Sequence, residues 1–138
     1  MARRTAALDA ADYRLLAEFR HVLRAFLAFS ETAAARLGLS SQQHQALLAI
    51  KGNSGGPMAV GELANRLAIQ HNSAVGLVNR LVQARYVMRQ SDPSDRRRAC
   101  LCVTSSGEAL LEKLTAAHRA ELRRVVPLLR PLLNQLQR

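Results

Sequence analysis

Apolar residues recur every three or four positions from Asp12 to about Leu37, where Leu15, Leu16, Phe19, Val22, Leu23, Phe26 and Leu27 fall on one stripe. That period predicts one long amphipathic helix, with Asp9 or Asp12 available to cap its start. The stretch GLSSQQHQALLAIKG opens with Gly38, sets Ser40 and Gln43 at capping-box spacing and closes at Gly52, which predicts a second, shorter helix. Gly52 to Pro57 reads as a loop. From Ser105 a long helix carries Leu111, Leu114, His118, Leu122 and Val125 along one stripe. Pro127 and Pro131 are expected to end or kink it, because each lacks an N–H and the ring of Pro131 would clash with the carbonyl of Pro127.

Between these helices, VGELANRLAIQHNSAVGLVNRLVQARYV carries two helical patterns with a brief interruption near Ile69 to His71. Leu63, Leu67, Ile69, Ala74 and Leu77 are spaced for two short helices to bury their facing sides, and small Ala64 permits a close crossing, which is helix-turn-helix patterning. At 100° per residue, Ala74, Leu77, Val78 and Leu81 form the inward face of the second helix. Asn72, Gly76, Asn79 and Gln83 lie opposite, flanked by Ser73, Val75 and Arg80. Amides and hydroxyls both donate and accept, as the reading of base edges in a major groove requires. An ordinary solvated face has the same composition. Gly76 favours the DNA reading, since an exposed mid-helix glycine costs about 1 kcal/mol relative to Ala and suits close approach of a partner.

Directly afterwards, YVMRQ and ACLCVT have strand composition and are separated by the turn-rich SDPSDRRR, which predicts a two-stranded hairpin, or wing. Its tip gathers Arg96, Arg97 and Arg98, three mutually repelling cations that call for a negative partner. Arginine on a slim hairpin is suited to a narrow, electronegative minor groove. Asp92 and Asp95 would repel DNA, so their expected role is to pair with an arginine and shape the turn.

Composition agrees with this reading and excludes others. The formal charge is +10, from 18 Arg and 2 Lys against 10 acidic residues, which favours a polyanion such as nucleic acid. An Arg-rich coding bias explains part of the excess, so where the charge sits matters more than its sum. A chain of 138 residues, 49% hydrophobic, suits one domain with one core. With no long apolar run, the expected setting is soluble and cytoplasmic, without a membrane. Cys100 and Cys102 are too few and too close for a disulfide framework and read as a buried or half-buried pair of thiols. His21, His44, His71 and His118 lack metal-ligand spacing, and no phosphate loop, nucleophile elbow or paired-carboxylate pattern occurs. No metal, cofactor or enzymatic activity is expected.

Taken together, VGELANRLAI (Val60 to Ile69), SAVGLVNRLVQARYV (Ser73 to Val87), DPSDRRR (Asp92 to Arg98) and LCVTSSGEALL (Leu101 to Leu111) resemble the MarR family of bacterial winged helix-turn-helix regulators. The resemblance extends over nearly the whole chain, and the Asp-x-x-Asp-Arg-Arg wing element is its most specific part. It implies a mainly α fold with a small β wing in a single domain over 1–138. Helices at about 9–38 and 105–138 would intertwine in a homodimer, and about 40–104 would form the DNA-binding part. The second helix of the helix-turn-helix would enter the major groove of a pseudo-palindromic operator. Asp95 and Arg96 would be the structuring pair, Arg97 the minor-groove arginine and Arg98 an extra. The family also implies a repressor released by a small aromatic or phenolic effector, for which Phe26, Phe29, His44 and His118 are the pocket residues here. Gln70 and His71 depart from the common pattern, in which Ser and Pro often begin the recognition helix. Two other classes stand beside this one: a basic, sequence-tolerant nucleic-acid or nucleoid-binding protein without effector, and a membrane-surface protein using the first helix.

Overall fold

The structure, a computed structural model, describes residues 7–95 and 97–138. Its elements run α1 (Ala10–Arg36), α2 (Ser41–Lys51), α3 (Val60–Leu67), α4 (His71–Gln83), β1 (Val87–Ser91), β2 (Ala99–Val103) and α5 (Ser105–Leu136). Among the described residues this is a winged helix-turn-helix fold of five helices and a two-stranded antiparallel sheet. The chain divides into two compact units, Met1–Ser30 with Ala117–Arg138, and Glu31–Ala116, and the long helices α1 and α5 contribute to both.

Local hydrogen bonds explain the helix boundaries. Asp9 Oδ1 accepts from the amides of Ala11 and Asp12 at 2.8 and 3.1 Å, while Asp12 Oδ2 accepts from the Asp9 amide at 2.8 Å, so both acids act in one reciprocal cap. At the other end of α1, Gly38 takes φ +78° and the Leu39 amide reaches back to the Ala34 carbonyl at 3.0 Å, a left-handed termination suited to glycine. The expected Ser40–Gln43 capping box opens α2, with Ser40 Oγ accepting from the Gln43 amide at 3.1 Å and Gln43 Oε1 from the Ser40 amide at 2.8 Å.

In the central unit, α2, α3, α4, the two strands and the first turns of α5 enclose one core, in which Leu47, Leu63, Leu77, Val78, Leu81, Leu101 and Leu114 are buried. Val87 pairs with Val103 and Ser91 with Ala99. A third segment joins this sheet as a single bridge between Met58 and Leu101, with the Leu101 amide donating to the Met58 carbonyl at 2.8 Å. Thr104 caps α5: its Oγ1 accepts from the Gly107 amide at 3.1 Å and donates to the Arg85 carbonyl at 2.6 Å. In the outer unit Val22 and Val125 are buried, and the flanking parts of α1 and α5 leave many apolar residues exposed.

Of the two outcomes expected at the C-terminal prolines, ending the helix is excluded. Pro127 and Pro131 do not end the last helix, which continues to Leu136 with both inside it. A proline removes its own N–H, so only the carbonyls of Arg123 and Pro127 lose their intrahelical partners, and the apolar residues on both sides keep the helical period.

Candidate nucleic-acid interface

Burial divides α4 along its length as its sequence predicts. Ala74, Leu77, Val78 and Leu81 are buried, whereas Asn72, Ser73, Asn79, Arg80 and Gln83 are exposed. Val75 and Gly76 are half-buried, a correction to the exposed glycine expected at position 76. A Cβ at Gly76 would meet nothing closer than Arg80 Nη1 at 3.6 Å, so the protein's own packing does not call for glycine there. Gln70 is the N-cap of α4 and makes no side-chain cap bond, which leaves the amides of the first turn pointing outward.

The wing turn is built by its two aspartates on backbone groups. Asp92 Oδ1 accepts from the Ser94 amide at 2.9 Å and from Ser94 Oγ at 2.7 Å. These hydrogen bonds, the hydroxyl foremost, hold the Asp92 carboxyl below its usual value. Asp95 Oδ1 accepts from the Arg97 amide at 3.0 Å, and the Asp92 amide donates to the Arg98 carbonyl at 2.9 Å to close the hairpin. Arg97 is exposed on this turn. Arg96, and with it the expected Asp95–Arg96 pair, lies outside the described residues.

Two contacts were not legible beforehand. Arg98 forms an ion pair with Glu62 on α3, and Arg89 Nη2 on β1 donates to Asn79 Oδ1 on α4 at 2.5 Å. Arg89 is two residues after buried Val87 and shares its side of the strand, a register that carried the only sequence signal for the second contact. Glu62 carried none beyond its place in the first turn of α3.

The remaining candidates are divided between the two units. Phe26, Phe29 and His118 come together in the outer unit: the His118 ring meets the two phenyl rings edge-on at 6.0 and 5.4 Å, and its Nε2 lies 2.7 Å from Ser30 Oγ. His44 belongs to the central unit, where it is buried in α2. Cys100 is buried and Cys102 half-buried, both as free thiols. Burial, with the Asp92 carboxylate nearby, pushes the Cys100 thiol up, away from the reactive thiolate. Among the described residues no group of His, Cys, Asp and Glu is placed to hold a metal ion, and no helix is long and apolar enough to cross a membrane. The outer unit has ten basic and four acidic residues, the central unit ten and six, so the net charge is not concentrated on the helix-turn-helix.

An exposed amide face on the second helix of a helix-turn-helix, beside a hairpin presenting arginine, defines a winged-helix DNA-binding protein. A MarR family model matches residues 37–98. The HTH-type transcriptional repressor NicR of Pseudomonas putida is 30% identical over 119 residues, covering 83% of this chain and 74% of NicR. The uncharacterized HTH-type transcriptional regulator YcgE of Bacillus subtilis is 32% identical over 96 residues, which is 70% of this chain and 61% of YcgE. A mutant of MepR from Staphylococcus aureus, solved bound to an oligodeoxyribonucleotide, has the same fold, with a TM-score of 0.67 at 20% identity over 83% of this chain and 82% of that one. The chain belongs to the MarR family of transcriptional regulators.

Proposed function

We propose that the protein is a homodimeric, sequence-specific repressor that reads a pseudo-palindromic operator with α4 in the major groove and Arg97 in the adjacent minor groove. The observation that carries this reading is the wing turn, in which Asp95 holds the backbone of exposed Arg97, at the tip of a hairpin whose first strand meets the amide face of α4 through Arg89 and Asn79. Dimerisation is supported by the outer unit, where Leu16, Leu27 and Leu136 are 60%, 55% and 68% exposed. An apolar groove of about 440 Å³ there is lined by Leu15, Phe19, Leu132 and Leu133 among others. Apolar surface of that extent on two helices calls for a partner, and a second copy of the same two helices supplies matching apolar residues. Release by a small aromatic or phenolic effector rests on the Phe26–Phe29–His118 cluster, where two ring edges and an imidazole suit an aromatic acid. The reading includes no enzymatic activity and places the protein in the cytoplasm.

The excess of basic residues in the outer unit favours a second reading, a sequence-tolerant DNA coat. Footprinting on the neighbouring promoter, followed by a salt titration on the protected duplex and on random duplex, tests both. A specific repressor protects a two-fold related site and retains an affinity ratio between the duplexes at every salt concentration, whereas a coat protein loses affinity equally on both. A protein that elutes as a monomer at micromolar concentration and still binds its site tightly excludes the dimeric architecture.

A further inference from the structure

Within the outward row of α4, Asn79 is held by another element. Arg89 Nη2 donates to it at 2.5 Å. A guanidinium has donors only, so the atom it meets on Asn79 is the carbonyl oxygen, and the contact decides which end of the amide turns outward. Both backbones are fixed: Asn79 follows buried Val78 on α4, and Arg89 is paired in register with buried Leu101.

An unrestrained Asn amide offers an acceptor and a donor together, the combination that matches N6 and N7 of adenine. With Oδ1 engaged, Asn79 has its Nδ2 hydrogens to offer. We propose that Arg89 sets the base preference of Asn79, so that the pair selects guanine, whose N7 and O6 are both acceptors, over adenine, whose N6 amino group would face the Asn79 amino group. Arg89 acts through Asn79 and is a positioning residue. Exclusion of water in the groove strengthens the Arg89–Asn79 bond relative to its exposed state. The competing partner is a DNA phosphate, which makes the stronger hydrogen bond to a guanidinium. The inference rests on the placement of α4 in the major groove.

The test is selection of binding sites from a randomised duplex by the full chain and three variants, Arg89→Met, Asn79→Ala and the double substitution. The unsubstituted protein is expected to select guanine at one position of each half-site. Arg89→Met should shift that position towards adenine by about tenfold, the scale of one bidentate base contact, and leave the other positions unchanged. In the Asn79→Ala background, Arg89→Met should change no base preference. Asn79→Asp, nearly isosteric and still an acceptor for Arg89, should lose the guanine preference, which keeps the test open if Arg89→Met folds poorly. A uniform loss of affinity by Arg89→Met on all sequences, with a salt slope reduced by about one, would make Arg89 a phosphate ligand and overturn the inference. Adenine at that position in the unsubstituted protein, or guanine selection indifferent to Arg89→Met, overturns it as well. Binding without any base preference by the unsubstituted protein removes the functional reading itself, and this inference with it.

Discussion

Arg98, at the end of the wing turn, is ion-paired with Glu62 on α3, so the wing turn is tied to the first helix of the helix-turn-helix. Both side chains are about half exposed, and such a pair contributes little to stability, about 0.2 to 1 kcal/mol. Its effect on DNA binding lies in where it holds the wing. Glu62→Gln is expected to weaken operator binding by up to about 1 kcal/mol although it removes a negative charge near DNA. Exchanging the charges, Glu62→Arg with Arg98→Glu, should recover most of the loss in an anisotropy titration at fixed salt. Tighter binding by Glu62→Gln would mean that Arg98 serves DNA phosphate and that Glu62 merely competes for it.

Arg97 is the wing arginine whose backbone Asp95 holds at 3.0 Å. Arg97→Ala should cost operator binding about 1 to 3 kcal/mol, most where the flanking sequence is A·T-rich and the minor groove narrow. Asp95→Ala should also weaken binding, since the turn loses the acceptor that orients Arg97. A wing acting through net charge alone would bind more tightly without Asp95, so the sign of this one change separates the mechanisms.

The Asp92 carboxyl gives the wing turn a pH dependence with a defined sign. Its value in the fold is lowered from 3.8 by the Ser94 hydroxyl and amide, so the fold favours the charged form. The stabilisation is therefore present above the unfolded value of 3.8 and is lost as pH falls through the lower folded value. Amide exchange at Ser94 followed on acidification should show protection retained down to 3.8 and lost below it. Asp92→Asn should remove that pH dependence.

Two helices end on left-handed residues other than glycine, Ala68 at φ 54° and Arg85 at φ 64°. In each, the amide of the next residue reaches back to the carbonyl five positions earlier, Ile69 to Ala64 and Tyr86 to Leu81, both at 3.0 Å. Relief of the Cβ clash outweighs the extra freedom of an unfolded glycine at such a site. Arg85→Gly and Ala68→Gly should each stabilise the fold by about 0.5 to 1 kcal/mol, read as a higher urea midpoint at unchanged slope.

Gly107 and Gly76 should respond oppositely to alanine. A Cβ at Gly107 would lie 2.3 Å from the Tyr86 carbonyl oxygen and 2.8 Å from Val103 Cγ1. Gly107→Ala must displace backbone and should cost about 3 kcal/mol in urea unfolding. Gly76→Ala meets no such atom and should raise stability by up to about 1 kcal/mol, the helix propensity difference. Weaker operator binding by that more stable variant would locate close DNA approach at position 76.

What the sequence determined by itself lies within a few residues along the chain. The Ser40–Gln43 box and the buried row Ala74, Leu77, Val78 and Leu81 depend on helical period or on side chains bonding to nearby backbone, and both are found as their spacing predicts. Asp92 and Asp95, expected to pair with an arginine side chain, bond instead to the amides of Ser94 and Arg97 and to the Ser94 hydroxyl, because these lie two residues along the turn. Proline chemistry alone left open whether the last helix ends or kinks at Pro127, and the apolar period that continues on both sides carries it on to Leu136. Only the tertiary structure decided that Met58 joins the sheet beside Leu101, that Arg98 turns to Glu62 and that Arg89 takes the oxygen of Asn79. These partners stand on different elements. Which long, flexible arginine side chain meets which acceptor is set by how helix and strand pack and in what register, and neither is encoded in the spacing of the residues that meet.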